Sequence, residues 1–280
     1  MSEPSLYMDL CCPLDGQILV QDGRTWRCAQ GHSFDTASQG YIHLLPVQNK
    51  RSLDPGDSKE MVAARRQFLA SEAYAPIAQQ LLQCLADLRL PSQAVCLDAG
   101  CGEGYYLQAC QHGLASQQWR WIGLDISKWA VLAAAKRTRK IRWLVGSNAN
   151  LPLASHTLDV VLCMFGFPVY EEFARVLAPN AYLVLVEAGN QHLQELRQLI
   201  YPELKSKAEQ HSDTPGFEMV NEQQVSYSLV LDSAQAIEQL LVMTPHLYRA
   251  SAAGLERARA LSRLRLTVDV RFRVFRRLAV

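Results

Sequence analysis

This sequence predicts an α/β fold: a parallel, doubly wound sheet preceded by a small N-terminal unit of different texture. Three observations predict it. From residue 94 onward, short apolar runs at 94–99, 120–124, 142–145, 158–164 and 181–187 alternate with helical segments, which is the pattern of βαβ units. The last run is almost uninterrupted Leu and Val, as a strand covered on both faces requires. Before about residue 45, by contrast, helical periodicity is scarce and Cys, Gly, Asp and Gln are frequent. A chain of 280 residues can hold one large domain and a smaller one. The boundaries read as 1–48 for the N-terminal unit, 49–93 for a linker with helices, and 94–280 for the large domain.

Composition excludes several classes. About half the residues are apolar, and 28 basic residues face 27 acidic ones for a net charge of +1. Disorder and fibrous architectures are therefore excluded, and any nucleic-acid contact has to come from local patches. Met1-Ser2-Glu3-Pro4 lacks the basic and apolar regions of a secretory signal. No apolar run reaches the roughly 20 residues that cross a bilayer. A cytoplasmic protein that needs no membrane is expected, with its eight Cys reduced.

Local signals place the elements. Pro55-Gly56 marks a turn in the linker. Asp57 and Glu60 have capping-box spacing ahead of a helix through Met61, Ala64, Arg65, Phe68 and Leu69. A second helix runs from Pro76 to Leu88, with Pro in its first turn. Helices at about 103–115 and 127–138 follow the first two strands, and the basic Lys136 and Arg137 suit the negative end of the second. Near the C-terminus, Leu264, Leu266, Val268, Val270, Phe272 and Val274 alternate with Arg265, Thr267, Asp269, Arg271 and Arg273. That period of two predicts a half-exposed strand at or near a sheet edge.

Ligands of a doubly wound sheet bind beyond the carboxyl ends of its strands. Asp98-Ala99-Gly100-Cys101-Gly102-Glu103-Gly104 lies at such an end. Its glycines let the backbone bend sharply and approach a ligand, with helix amides aimed at it. A Gly-x-Gly turn alone also fits an ordinary strand-to-helix connection. Asp98, two residues before Gly100, adds a carboxylate that repels a pyrophosphate but suits an ammonium and a sulfonium. Asp125 ends the next strand, where an acid can accept both ribose hydroxyls. The pattern resembles the class I S-adenosylmethionine-dependent methyltransferases. An NAD-linked oxidoreductase is the enzyme alternative, and Asp98 with the missing third Gly argues against it. In the same comparison Ser147 stands where an Asp often precedes Ala-x-x-Leu-Pro and meets the adenine edge. Pro179-Asn180-Ala181 stands where Pro-Gly-Gly often precedes the fifth strand, and Asn tolerates the left-handed backbone that turn needs.

Cys12, Cys28 and His32, with Cys28 and His32 at Cys-x₃-His spacing, suggest a tetrahedral zinc site in a small unit. The position three after Cys12 is Asp15, a carboxylate that can ligate zinc; neighbouring Cys11 is the other candidate. The competing reading is a metal-free ribbon held by Trp26, Phe34 and Tyr41.

Beyond these motifs, the chain resembles the bacterial 23S rRNA guanine-N1 methyltransferases of the RlmA type. The resemblance rests on Cys12-Pro13-Leu14, on Gly31-His32-Ser33-Phe34-Asp35 and on residues 40–48, then on residues 54–58, Met61 and residues 64–69. Residues 98–106, 124–128 and Met243-Thr244-Pro245 complete it. It implies a zinc-ribbon domain that engages RNA, a Rossmann-like methyltransferase domain, a homodimer and a 23S rRNA hairpin as substrate. It also implies donor contacts at Tyr74, Gly102, Glu103 and His192. Tyr74 has an alternative as a helix-packing aromatic, and His192 as a helix cap. Asp98 is expected to act on the donor's ammonium end or through the loop backbone, and Asp125 on its ribose. Guanine N1 must lose a proton; Glu187 and His192 are candidate bases on position alone, and no catalytic residue is assigned. RNA contacts are sought at Lys50, Arg51, Arg65 and Arg66, with Tyr41 or Trp26 for stacking, each weighed against a solvated or core role. A small-molecule methyltransferase and a non-catalytic regulator with a vestigial pocket are the remaining alternatives.

Overall fold

The computed structural model of the chain describes residues 10–46, 54–203 and 214–279. Lys50 and Arg51 lie outside the described residues.

The N-terminal unit is a three-stranded antiparallel sheet of β1 (Val20–Asp22), β2 (Thr25–Arg27) and β3 (Ser33–Asp35). A fourth strand, β4 (Tyr41–His43), leaves that sheet and pairs in parallel with β7 (Arg142–Val145) of the large domain. The N-terminal unit and the large domain thus share a sheet edge. Trp26 and Tyr41 are buried, Trp26 beneath the Arg142 guanidinium at 5.4 Å and Tyr41 in the main core. Neither presents a free ring for stacking on RNA, which corrects the expectation for both.

The linker leads into α1 (Lys59–Ala70) and α2 (Ala75–Asp87). The cap of α1 is Ser58, whose Oγ accepts from the Met61 amide. Ser58 displaces Asp57 from the capping role that spacing suggested, because Asp57 is paired elsewhere. The large domain then alternates: β5 (Val95–Ala99), α3 (Tyr105–Gly113), β6 (Arg120–Asp125), α4 (Lys128–Arg137), β7, β8 (Leu158–Met164), α5 (Tyr170–Val176) and β9 (Leu177–Ala188). Asn180 adopts the expected left-handed conformation, with φ 65°. After β9 come α6 (Gln194–Ile200), β10 (Phe217–Leu231), α7 (Ala234–Met243), α8 (His246–Arg249), α9 (Ala252–Arg259) and β11 (Leu264–Arg277).

The large sheet has the order β10-β11-β9-β8-β5-β6-β7-β4. Strand order reverses between β5 and β8, so the crevice beyond their carboxyl ends is where a ligand belongs. β11 is antiparallel to both neighbours and lies one strand in from the edge, with β10 outside it. The period of two is seen: Leu264 to Val274 point into the main core. One residue breaks it. Asp269, on the face expected to be exposed, is buried, because the turn after β9 and Gln224 of β10 close over it.

Trp143 anchors the sheet beneath the glycine turn. Its indole N–H donates to Thr138 O at 2.9 Å, and its ring fills the space beside Gly123 and Gly104. A Cβ on Gly104 would sit 2.6 Å from that ring, and Gly104 has φ 82°. Only glycine meets both conditions.

Candidate functional site

The carboxyl ends of β5 and β6 bring the two predicted acids together. Asp98 is 1% exposed and its Oδ1 has no hydrogen-bond partner. Burial, and then the nearby charge of Asp125, push its carboxyl up to about 8. Asp125 is better satisfied: Oδ2 accepts from the Gly102 amide at 2.9 Å and Oδ1 from the Ser127 amide at 2.8 Å. Burial still raises its pKa, against those two bonds. Gly100 and Gly102 take φ of 100° and 55°, and a Cβ on Gly100 would meet nothing within 4 Å. The bend therefore borders open space next to a buried acid with one unpartnered oxygen, a combination a cationic nucleoside can fill.

Glu103 is held at the bend by a buried ion pair. It is 1% exposed and ion-paired with Arg137 at 2.5 Å, so it fixes the bend onto the end of α4. Ser147 is occupied within its own loop, accepting from the Ala149 amide at 3.2 Å. The side chain that reaches the tip of β5 is its neighbour Asn148, whose Nδ2 donates to Ala99 O at 3.3 Å.

Tyr74 and His192, far apart in sequence, meet here. Tyr74 is buried, and its hydroxyl lies 3.5 Å from His192 Nε2. The Asp269 amide donates to His192 Nδ1 at 3.3 Å, which assigns the hydrogen of the neutral ring to Nε2, facing Tyr74. Phe165 also stacks on the imidazole, with ring centres 6.1 Å apart. Phe165 holds φ 54°, a strained conformation for an aromatic residue and one that clusters at functional sites. Phe167, two residues on, is 86% exposed.

Glu187, the other sequence candidate for a base, is ion-paired with Arg273. Arg65 is also committed. It pairs with Asp57, donates to Met243 O at 2.9 Å, and lies 3.5 Å from where a Gly102 Cβ would stand. An RNA-facing Arg65 is thus corrected: it straps the linker and α7 over the glycine bend. Arg66 beside it is exposed.

Sequence reasoning missed Asp269, Phe165 and Asn148. Asp269 looked like one polar residue in an alternating strand. Yet its Oδ2 accepts from the Gln191 amide at 2.9 Å, and its own backbone carbonyl accepts from the Gly189 amide at 2.8 Å. It therefore sets the turn that carries His192. The loop sequence Met164-Phe165-Gly166-Phe167 at a strand's carboxyl end was the one available signal for Phe165.

In the N-terminal unit, one ligand atom each from Cys12, Asp15, Cys28 and His32 lies within 4.8 Å of the other three. His32 Nδ1 is 3.0 Å from Asp15 Oδ2, 3.4 Å from Cys28 Sγ and 3.5 Å from Cys12 Sγ; Cys28 Sγ is 3.1 Å from Asp15 Oδ2. A tetrahedral zinc, with bonds of about 2.0–2.3 Å, sets its ligand atoms about 3.3–3.8 Å apart. The donors fit. Asp15 is suited to its place: the Gln17 amide, then the two thiols and His32, hold its carboxyl down to about 2 against desolvation. Among the described residues the converging set contains Asp15 and not Cys11.

Two family models divide the chain along these lines. Residues 10–53 match the zinc-ribbon model described as RlmA, N-terminal, and residues 96–189 match a methyltransferase domain. A relative from Bacillus subtilis (strain 168), YxjB, which bears a 23S rRNA (guanine-N1)-methyltransferase name, is 30% identical over 271 residues, 92% of this chain and 94% of its own. The chain belongs to the 23S rRNA (guanine-N1)-methyltransferase family. Another family member, the 23S rRNA (guanine(748)-N1)-methyltransferase of Streptomyces fradiae, is 30% identical over 84% of each chain. The family's methyltransferase domain is S-adenosylmethionine-dependent. For fold alone, a chain from the complex between the Haloferax volcanii Trm112 methyltransferase activator and its methyltransferase superposes with TM-score 0.50. It is 22% identical and covers 80% of this chain and all of that one. No helix among the described residues is long and apolar enough to cross a membrane.

Proposed function

We infer that this enzyme transfers a methyl group from S-adenosylmethionine to N1 of a guanine in a 23S rRNA hairpin. The observation that carries the cofactor half is the buried Asp98 side chain, with one oxygen unpartnered, beside an open glycine bend. The ribbon with its converging donors, found in a family named for this RNA reaction, supports the substrate half. Primer extension tests the reading, because a methyl on N1 blocks the Watson–Crick edge. Deleting the gene should remove one strong stop on 23S rRNA, and a plasmid copy should restore it; an unchanged stop pattern rejects the RNA assignment.

Bound S-adenosylmethionine supplies an electrophilic methyl carbon on a sulfonium. The chain's own residues orient what surrounds it, and positioning accounts for much of the rate in such transfers. Asp98 takes the donor's ammonium end, and Asp125 offers the ribose hydroxyls a carboxylate already aligned by two loop amides. Gly100 and Gly102 bring the backbone close, while Glu103 acts through the bend that it ties to Arg137. Tyr74, His192 and Phe165 form one aromatic cluster, in which the His192 ring contacts both of the others. Glu187 is engaged with Arg273, and His192 Nδ1 with the Asp269 amide. Both are therefore positioning residues here rather than free bases. The target guanine must stand unpaired or extruded to reach this crevice.

Cys12, Asp15, Cys28 and His32 would hold a structural zinc ion that closes the ribbon. A cytoplasmic homodimer completes the reading, supported by the nature of the substrate and by the family resemblance. Sedimentation of the purified chain tests the dimer.

Asp98 gives this reading a proton signature. Its carboxyl stands near 8 in the folded protein against an ordinary 3.8, so the folded state holds the extra proton. Its contribution to stability accordingly falls as pH rises from about 4 to about 8. A bound ammonium reverses the preference and expels that proton. Titration calorimetry with S-adenosylhomocysteine at pH 7, in phosphate and in Tris, should show release of close to one proton. Asp98→Asn should release none. Equal heats in the two buffers for the wild type would reject the placement of Asp98.

A further inference from the structure

The N-terminal ribbon brackets one loop of the large domain from two sides. The stretch at its first ligand meets residues 146–153. The Cys11 amide donates to Pro152 O at 3.0 Å, Leu10 bridges to Leu153, and Asn150 Nδ2 donates to Pro13 O at 3.2 Å. On the other side β4 lies along β7, the strand that runs into this loop, and the Leu44 amide donates to Val145 O at 2.8 Å. Pro13 directly follows Cys12, and Cys12 donates its amide to Gln17 O at 2.7 Å within the turn that holds Asp15. The turn that would close around an ion is therefore the turn that grips the loop.

Between these two grips stands Asn148. Its Nδ2 is bonded to Ala99 O, and its Oδ1 is buried without a partner. A buried acceptor left unsatisfied is destabilising, and an incoming N–H donor removes that cost. The adenine amino group is such a donor. Ile126, 38% exposed immediately after Asp125, offers apolar surface for the ring.

We propose that the metal-closed ribbon holds loop 146–153 in the arrangement that presents Asn148 to the adenine end of the methyl donor, so that metal loading and donor binding reinforce each other. The proposal rests on reading the crevice as the donor site. Linkage makes the effect reciprocal: the factor by which zinc tightens the donor is the factor by which the donor tightens zinc. Such couplings typically span about 5–150-fold, and about tenfold is expected for a loop held by a few hydrogen bonds.

The test uses the full chain, zinc-loaded or stripped with a chelator, and calorimetry with S-adenosylhomocysteine. Stripping should weaken binding about tenfold. Saturating S-adenosylhomocysteine should weaken zinc transfer to a chromophoric chelator at equilibrium by the same factor. Asn150→Ala guards against a general loss of structure. In this variant zinc content and melting temperature should stay at wild-type levels while the reciprocal effect on zinc shrinks. Asn148→Ala should erase the preference for S-adenosylhomocysteine over its hypoxanthine analogue. Equal S-adenosylhomocysteine affinity with and without zinc, or zinc retention indifferent to the nucleoside, overturns the proposal and leaves the donor site standing. Absence of any binding to the zinc-loaded wild type overturns the donor site and the proposal together.

Discussion

Replacing Asp125 by Ala should weaken S-adenosylhomocysteine binding by about 100-fold or more, with the fold retained. The carboxylate does two things at once. It holds the Gly102 and Ser127 amides, and in the proposed complex it accepts from the ribose. A hydrogen bond to a charged group contributes about 1.5–3 kcal/mol, and about 1.4 kcal/mol is a factor of ten in affinity. Losing the ribose bonds alone therefore reaches 100-fold. Freed from Asp125, the Gly102 amide also loses the constraint that fixes the bend. Asp125→Asn keeps an acceptor oxygen and should fall between. The measurement is calorimetric affinity alongside a thermal melt. Near-wild-type affinity in a folded Asp125→Ala protein would remove the acid from the site.

Trp143→Ala should produce the largest loss of stability, about 3–5 kcal/mol, the range for deleting a large buried aromatic. The ring lies against Gly104 and Gly123, with the indole N–H satisfied by Thr138 O. Few side chains are small enough to relax into the space it leaves, so the cavity persists. The reverse substitution, Gly123→Ala, pushes a methyl into the same ring, and overpacking of this kind typically costs about 1–3 kcal/mol. Urea unfolding followed by intrinsic fluorescence measures both. A loss below about 1 kcal/mol for Trp143→Ala would mean that the glycine bend does not depend on this ring.

The parts of the molecule legible in the sequence are those governed by short-range pattern. β5 through β9 announced themselves by apolar runs of strand length, and Asp98 and Asp125 by standing at the ends of two of them. β10 went unread: its first half is mostly polar and exposed, and its apolar face of Val225, Tyr227, Leu229 and Leu231, alternating with Ser226 and Ser228, is confined to the second half of fifteen residues. The same limit applied to side chains whose roles depend on distant partners. Arg65 looked like a surface cation because its companions, Asp57 and Met243 O, come from the linker and from α7. Asp269 looked solvated because the turn that covers it is contributed by another segment. Ser147 was placed by loop alignment, yet one residue further on Asn148 makes the reach, and nothing in the motif reveals which side chain the loop turns inward. For the ribbon, spacing offered both Asp15 and Cys11; only the folded turn brings Asp15 into the set.

The pairing of β4 with β7 also has a consequence for how the protein is made. Roughly 100 residues separate the two strands, which makes this one of the more non-local contacts in the chain. Emerging from the ribosome at about 5–20 residues per second, the ribbon has no docking edge for about 5–20 s. During that interval the nascent N-terminus carries thiols and an unpaired strand with nothing to cover them. A metal taken up early would give it a shape to keep until its edge is synthesised. Conversely, a product lacking the ribbon would leave β7 as a bare sheet edge open to pairing with other chains.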